Sequence, residues 1–212
     1  MSSVYAPNGR SVILENLRWG TYLALLADLG DHRGRLTFAD GRLEILSPTP
    51  RHEHLKKLLG RLLEAFTEEL NIKIQSVSST TLNRKDLKKG VEADECYYIQ
   101  NEARVRGKDR IDLKKDPPPD LAIEVEVTKR VLARLPIYAG MGVSEVWRWD
   151  GKKLRVCRLQ EDGKYIEVDK STVLPEFPIR DAVRFASRRG KQDETGIVRA
   201  FRRWVRKRFR VK

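Results

Sequence analysis

The sequence predicts a mixed α/β domain, in which a β-sheet is flanked by helices. Runs with alternating or continuous apolar residues indicate strands, and these runs are interleaved with segments of helical periodicity. Apolar residues make up 40% of the 212 positions, which is enough for one buried core. No internal repeat is visible, so a solenoid or propeller is not expected.

The first half of the chain predicts a helix, a hairpin and a second helix. Tyr22, Leu25 and Leu29 recur at helical spacing before Gly30, which indicates a helix over residues 19–30. The segment "RLTFADGRLEILSP" predicts a β-hairpin, because Asp-Gly is a strong two-residue turn signal. A long amphipathic helix is then predicted over "RHEHLKKLLGRLLEAFTEELN", whose leucines and phenylalanine form one stripe.

The second half predicts most of the sheet. Strands are expected in "IKIQSVSSTTL", "VEADECYYI" and, after three prolines, "DLAIEVEVT". A short helix follows in "KRVLARLPIYAGMG", and it leads into the strands "VSEVWRWD", "KKLRVCRL" and "GKYIEVDKS". Trp147 and Trp149 alternate along one of these strands and are predicted to be core residues, as are the two cysteines, Cys96 and Cys157.

The excess of positive charge is concentrated at the end of the chain. The formal net charge is +13, and residues 187–212 carry eleven Lys or Arg against two acids. We therefore expect a main domain over residues 1–186 and a basic amphipathic helix over residues 187–212. The apolar stripe of this helix must be covered by the main domain, a partner chain or a membrane surface. Its arginines would either attract a polyanion or face solvent.

No apolar run approaches the roughly 20 residues that a membrane-spanning helix needs. The first residues, "MSSVYAPNGRSVILENLRWG", also lack the pattern of a signal peptide. We expect a cytoplasmic protein without a membrane partner.

Two strands combine apolar residues with acidic side chains. In "DLAIEVEVT", alternation places Asp120, Glu124 and Glu126 on one face, and in "VEADECYYI" it places Asp94 among apolar neighbours. Carboxylates this close repel one another, and burial adds to the cost. Either these faces are solvated, or a divalent cation such as Mg²⁺ or Mn²⁺ relieves the repulsion. If the two strands are neighbours, Asp94 and Glu124 could bind one metal ion.

Four motifs in this order resemble the Uma-two family of endonucleases, over roughly residues 15–185. They are "DGRLEILSP" followed by "RHE", then "VEADECYYI", "PPPDLAIEVEVT" and "LPIYAGMGVSEVWRWDG". The last motif is the most specific. The resemblance implies a restriction-endonuclease-like fold of the PD-(D/E)XK superfamily, with a mixed β-sheet flanked by helices, and here an extra N-terminal hairpin and the basic C-terminal helix.

The resemblance also implies roles for particular residues. Asp94 and Glu124 fall on the two acidic positions that hold the metal, Mg²⁺ or Mn²⁺. The superfamily's lysine falls on Glu126, which is a departure from the pattern, so Lys129 or Arg134 would have to supply the basic group. Glu126 could instead be a further ligand. A further acidic residue near the first core helix would be Glu44, which we favour slightly, or Glu53.

The other candidates are weaker. His52 and His54, at the start of a predicted helix, are expected to cap the helix or contact solvent rather than share a metal. The sequence thus leaves two hypotheses for function. The first is a metal-dependent endonuclease that acts on DNA, expected to be a homodimer because two strands must be cut. The second is a nuclease-fold protein that has lost catalysis and binds nucleic acid or assembles with other proteins.

Overall fold

The structure is a computed structural model that describes residues 11–30, 34–78, 80–127 and 130–210. The described residues form eleven strands and six helices. The strands are β1 (Ser11–Leu14), β2 (Arg35–Ala39), β3 (Arg42–Leu46), β4 (Gln75–Ser76), β5 (Thr81–Arg84), β6 (Lys89–Glu92), β7 (Glu95–Tyr98), β8 (Leu121–Val125), β9 (Glu145–Trp149), β10 (Leu154–Leu159) and β11 (Tyr165–Val168). The helices are α1 (Trp19–Leu29), α2 (Pro50–Glu69), α3 (Glu102–Val105), α4 (Leu135–Met141), α5 (Ile179–Ala186) and α6 (Glu194–Phe209).

These strands form two sheets rather than one. The first sheet has the order β1-β3-β2-β6-β5 and is antiparallel throughout. The second has the order β11-β10-β9-β8-β7-β4, and it is mixed because β8 and β9 are parallel while the other pairs are antiparallel. The predicted mixed α/β architecture is confirmed and is consistent with a restriction-endonuclease-like fold.

The first sheet is built on the hairpin of β2 and β3. Its turn is Asp40-Gly41, and both residues have positive φ angles, 51° and 74°, as a two-residue hairpin turn with the right twist requires. Tyr22 of α1 stacks on Phe38 of β2, with ring centroids 5.1 Å apart. This contact closes a small separate core between α1 and the hairpin.

The segment "VEADECYYI" was predicted as one strand, and this is wrong. It contains two strands in different sheets, β6 and β7, joined by Ala93 and Asp94. At the junction the side chain of Asp94 accepts a hydrogen bond from the backbone N–H of Val125, at 2.6 Å. The Asp94 carboxylate is thus the acceptor for a backbone N–H of β8 at the point where the β7–β8 ladder ends. The chain crosses from the first sheet to the second at this residue.

The main core lies between the second sheet and the helices α2, α5 and α6. Trp147 and Trp149 are buried in it, as predicted, and Cys96 and Cys157 are buried on the other side of the sheet. The apolar stripe of α6 packs against α2 and α5 through the buried residues Ile197, Val198, Phe201 and Val205. The sequence allowed three surfaces for this stripe: the main domain, a partner chain or a membrane. The stripe packs against the main domain of the same chain.

Ion pairs fix α6 along α2. Arg202 contacts Glu68 and Glu69 near the end of α2, and Arg206 donates to Glu69 at 2.9 Å. The pKa of the Glu69 carboxyl is lowered by its hydrogen bond from Arg206, which outweighs desolvation. Among the described residues there is no helix with the length and apolar character to cross a membrane.

Candidate functional site

Asp94 and Glu124 lie near each other, at one end of the neighbouring strands β7 and β8. β7 and β8 are antiparallel, and the register pairs Glu95 with Ile123. Asp94 comes directly before β7 and Glu124 directly follows Ile123 in β8, so both acids lie at the same end of the strand pair, just beyond the last register pair. Both are buried: Asp94 has no exposed surface and Glu124 is 3% exposed. The structure thus brings together the two residues that the sequence predicted as metal ligands.

One guanidinium group joins the two carboxylates. Arg130 Nη2 lies 3.0 Å from Asp94 Oδ2, and Arg130 Nη1 lies 2.9 Å from Glu124 Oε2. Arg130 Nη2 also donates to the carbonyl oxygen of Val125, at 3.3 Å. Three oxygen atoms from two strands therefore converge on one cationic group, a residue that the sequence did not single out.

Asp94 has further partners at both of its carboxylate oxygens. Arg35 donates to Asp94 Oδ1, and His52 Nε2 lies 3.0 Å from Asp94 Oδ2. Burial alone would raise the pKa of Asp94, but the positive charges of Arg130 and Arg35 hold it well below its usual range. The group is therefore a carboxylate with a fixed orientation.

Glu124 is held by α4 and the residue before it. Arg134 Nη1 donates to both carboxylate oxygens, at 3.0 and 3.1 Å, and also to the carbonyl of Glu92 at 2.8 Å. The Tyr138 hydroxyl donates to Glu124 Oε1. Burial and the charge of Glu124 raise the pKa of Tyr138 well above its usual value, so this hydroxyl remains a donor. Tyr138, predicted only to pack, thus contacts a candidate ligand directly.

The N-terminus of α2 supplies the next layer of the site. Thr49 caps the helix by accepting the backbone N–H of His52 at 3.1 Å, and Pro50 is the first helical residue. This geometry directs the His52 ring to Asp94 and the Glu53 carboxylate to Arg35, whose Nη2 lies 2.9 Å from Glu53 Oε1. The prediction that the His52 side chain caps the helix or contacts solvent is wrong, because the ring is fully buried.

The pKa values of Glu53 and His52 are shifted in opposite directions. The hydrogen bond from His52 lowers the pKa of Glu53 to about 2, against the opposing effect of burial, and Arg35 contributes. Burial disfavours the charged form of His52, but hydrogen bonds to Asp94 and Glu53 raise its pKa overall. His54, by contrast, points away: its Nδ1 lies 3.9 Å from Glu194 of α6, and the two histidines share no site.

The remaining predicted site residues lie around this centre. Glu44 is buried and accepts the backbone N–H groups of Val131 and Leu132, at 2.8 and 3.2 Å, so it fixes the loop that follows Arg130. Glu126 is half-buried and accepts a hydrogen bond from Arg148 Nε at 2.7 Å. Lys129 lies outside the described residues.

Asp120, which sequence alternation placed on the acidic face, has a structural role at the other end of β8. Its Oδ2 accepts the backbone N–H groups of Ile99 and Asn101, at 2.7 and 3.0 Å. The chain beyond β7 is thereby fixed to β8. Asp120 is therefore not part of the centre around Arg130.

A cavity of about 680 Å³ opens beside Arg130. Its charged and polar lining comprises Glu124, Glu126, Arg130, Arg134, Tyr138 and Arg148. Three arginines against two glutamates give this lining a net positive charge. A group that carries negative charge, such as a phosphate, would thus be attracted to the cavity, which Glu124 lines and from which Asp94 is separated by Arg130.

The oxygen donors are suited to Mg²⁺ or Mn²⁺. Such ions prefer oxygen ligands and often use only one or two carboxylates, together with waters and substrate phosphates. Asp94, Glu124 and the Val125 carbonyl supply three oxygens that already converge on a cation. In the part of the chain that the structure describes, no group of three or more His, Cys, Asp or Glu side chains is arranged to hold a metal ion. Binding of a metal ion would therefore depend on the oxygens of Asp94, Glu124 and the Val125 carbonyl.

Weak signals in the sequence pointed to some of the site residues that were not predicted. Two acids in apolar strands imply cationic partners, and Arg130 follows β8 closely enough to have been a candidate. Arg35 gives no such signal, because it is separated from Asp94 by 59 residues of sequence. Arg35 is placed there by the pairing of β2 with β6 inside the first sheet and by the Ala93–Asp94 junction that leads from β6 to β7.

Comparison with known proteins identifies the family of this chain. A search of curated proteins gives no match. The model of the Uma2 family, whose description reads "putative restriction endonuclease", matches residues 19–184. The match covers most of the 212 residues and includes both acid-bearing strands and the whole of α2 and α4. The chain therefore belongs to the Uma2 family.

Proposed function

We propose that this protein is a metal-dependent endonuclease that hydrolyses phosphodiester bonds in DNA, with Asp94 and Glu124 as ligands of Mg²⁺ or Mn²⁺. The observation that carries the proposal is the cross-strand pair of buried carboxylates, whose oxygens converge with the Val125 carbonyl on one cation. Membership in a family described by endonuclease activity supports the same reaction class.

The surrounding residues hold the two ligands in fixed orientations. Arg35, His52 and the Val125 N–H restrain Asp94, while Arg134 and Tyr138 restrain Glu124. Restraint of this kind keeps ligand oxygens in place without reorganisation during the reaction. When bound, the metal would polarise the phosphoryl group and stabilise the charge that develops on it.

The superfamily's lysine position is Glu126 here, so positive charge must come from other residues. Arg130, Arg134 and Arg148 line the same cavity as Glu124 and could bind phosphate oxygens through several N–H groups each. Glu126 lines the same cavity and pairs with Arg148, so it would reduce the positive charge of the cavity lining. We assign Glu44 a positioning role, because it acts through the backbone of the Arg130 loop. A role for Lys129 remains a prediction.

Plasmid cleavage tests the proposal directly. Purified protein should convert supercoiled plasmid to nicked or linear forms with Mg²⁺ or Mn²⁺, and chelation with EDTA should stop the reaction. Because two strands must be cut, we still expect a homodimer, which sedimentation of the same sample would reveal. The absence of cleavage with either metal, in a protein shown to be folded, would contradict the proposal.

A second candidate function is nucleic-acid binding without catalysis. The salt bridge between Glu126 and Arg148 at the lysine position favours it, and so does the solvent face of α6. Arg199, Arg203 and Lys207 are all exposed and recur every four residues, so they form one basic stripe. Binding of plasmid without cleavage in the presence of metal would favour this candidate over the first.

The basic stripe of α6 should contact the phosphate backbone under either function. Replacing Arg199, Arg203 and Lys207 with Gln should weaken binding to a DNA duplex. It should also reduce the slope of log K against log salt by about 2 to 3, because each lost phosphate contact removes about 0.9. Fluorescence anisotropy over a series of salt concentrations measures both quantities.

A matched control removes three exposed lysines elsewhere. Lys85 and Lys88 lie in the turn between β5 and β6, and Lys164 lies beside β11, so their replacement with Gln changes the net charge equally. An equal loss of slope in this control would show that general charge, and not α6, attracts DNA. The ion pairs with Glu68 and Glu69 are retained in both variants, since Arg202 and Arg206 form them.

A further inference from the structure

We infer that Arg130 is a resident cation that competes with the divalent metal for Asp94 and Glu124, so that metal binding requires its guanidinium to move. The inference rests on the proposed function, since it concerns the same two acids. The family resemblance assigned no role to Arg130.

The contacts of Arg130 overlap with those that the metal would need. Its two terminal nitrogens lie 3.0 Å from Asp94 Oδ2 and 2.9 Å from Glu124 Oε2, and one of them contacts the Val125 carbonyl. These are the three oxygens that converge in the site. A metal ion bonded to them would lie within a few ångströms of the guanidinium, where two cations repel strongly in a poorly hydrated site.

The other arginines of the site do not compete in this way. Arg35 contacts the opposite oxygen of Asp94 and pairs also with Glu53, and Arg134 binds Glu124 from the α4 side without contacting Asp94. Each acid therefore keeps a cationic partner when Arg130 moves away. Among the described residues, Arg130 alone contacts both carboxylates.

The cavity gives Arg130 a place to move. Arg130 is one of its lining residues, and within the described ranges neither its Nε nor its Nη1 has a hydrogen-bond partner, so Nη1 is held to Glu124 by charge only. The side chain is thus held by its terminal nitrogens only. A phosphate group in the cavity would offer those nitrogens a new bidentate partner, which would leave the acids free for the metal. Metal binding and phosphate binding would then favour each other, as linkage requires.

Direct measurement of metal binding tests the inference without reference to cleavage. The affinity for Mn²⁺ is measured by electron paramagnetic resonance of the free ion, in the absence of nucleic acid, for the full chain and for Arg130→Gln and Arg148→Gln. Arg148 is the matched control: it lies opposite Glu124 in the register of β8 and β9, and it lines the same cavity, but it pairs with Glu126.

We expect Arg130→Gln to bind Mn²⁺ at least about tenfold more tightly than the unchanged protein, because a competing charge is removed at contact distance. Arg148→Gln should change the affinity by no more than about threefold, because its partly exposed guanidinium pairs with Glu126 and contacts neither proposed ligand. Arg130→Lys should lie between the two, since one ammonium group cannot hold both carboxylates as a planar guanidinium does. This variant also provides the comparison if the Gln variant does not fold.

The outcomes separate this inference from the nuclease proposal. Equal affinities for Arg130→Gln and Arg148→Gln, or no Mn²⁺ binding by any variant, overturn the inference, even if the unchanged protein cleaves plasmid. Tighter binding by Arg130→Gln alone supports it, even if none of the proteins cleaves plasmid, in which case only the nuclease proposal fails.

Discussion

Replacing Asp94 with Asn should lower the rate of metal-dependent plasmid cleavage by about 10³-fold. The amide has nearly the same volume as the carboxylate, but it removes the negative charge that would hold the metal, and the folding of the variant is checked by circular dichroism. A metal ion contributes several kcal/mol to stabilising the transition state, and each 1.4 kcal/mol is about tenfold in rate. Agarose-gel assays of supercoiled plasmid at a fixed Mn²⁺ concentration measure the rate.

Asp120→Asn is the control for this variant. Asp120 is also a buried acid on the second sheet, but its carboxylate binds the backbone N–H groups of Ile99 and Asn101 at the far end of β8. We expect it to reduce stability while retaining cleavage at a temperature where the variant is folded. Cleavage by Asp94→Asn within about tenfold of the unchanged protein would rule out Asp94 as an essential metal ligand.

Replacing Phe201 with Ala should lower the free energy of unfolding by about 4 kcal/mol, which is the usual cost of removing a fully buried phenylalanine. Phe201 has no exposed surface, and its ring centroid lies 5.4 Å from that of Phe185 and 6.0 Å from that of Trp204. The substitution therefore leaves a cavity where α6 meets α5. Urea denaturation, followed by tryptophan fluorescence, measures the change.

The exposed Arg203 of the same helix provides the control. Arg203→Ala should change the free energy of unfolding by no more than about 0.5 kcal/mol, since exposed positions away from special contacts contribute little. If Phe201→Ala were as mild as Arg203→Ala, α6 would not be an integral part of the folded domain. The expected result also means that deleting residues 187–212 is a poor test of DNA binding, because deletion would expose the core that α6 covers.

The sequence predicted much of the local structure correctly, for identifiable reasons. The Asp-Gly turn predicted the hairpin of β2 and β3, and helical spacing of leucines predicted α2 with nearly its observed bounds. Alternation also predicted which face of β8 carries Glu124. These signals depend on residues a few positions apart, and their physics is the same in a peptide as in the folded chain.

Prediction failed where a side chain replaces a backbone interaction. Nothing in the periodicity of "VEADECYYI" shows that Asp94 will accept the Val125 N–H and end one strand where another begins. The same contact turns Asp94 toward Arg130 and His52. The wrongly predicted single strand and the missed partners of Asp94 therefore have the same cause.

The sequence by itself determined that this protein is an α/β domain with acids in two apolar strands and a basic amphipathic helix at its end. Only the tertiary structure decided that Asp94 and Glu124 share Arg130 as a partner, that Arg35 also pairs with Asp94, and that α6 packs on the chain's own core. Periodicity and turn chemistry act over one or two turns of chain. Charge pairing in a buried site joins residues tens of positions apart, and it depends on which strands become neighbours when the sheets assemble.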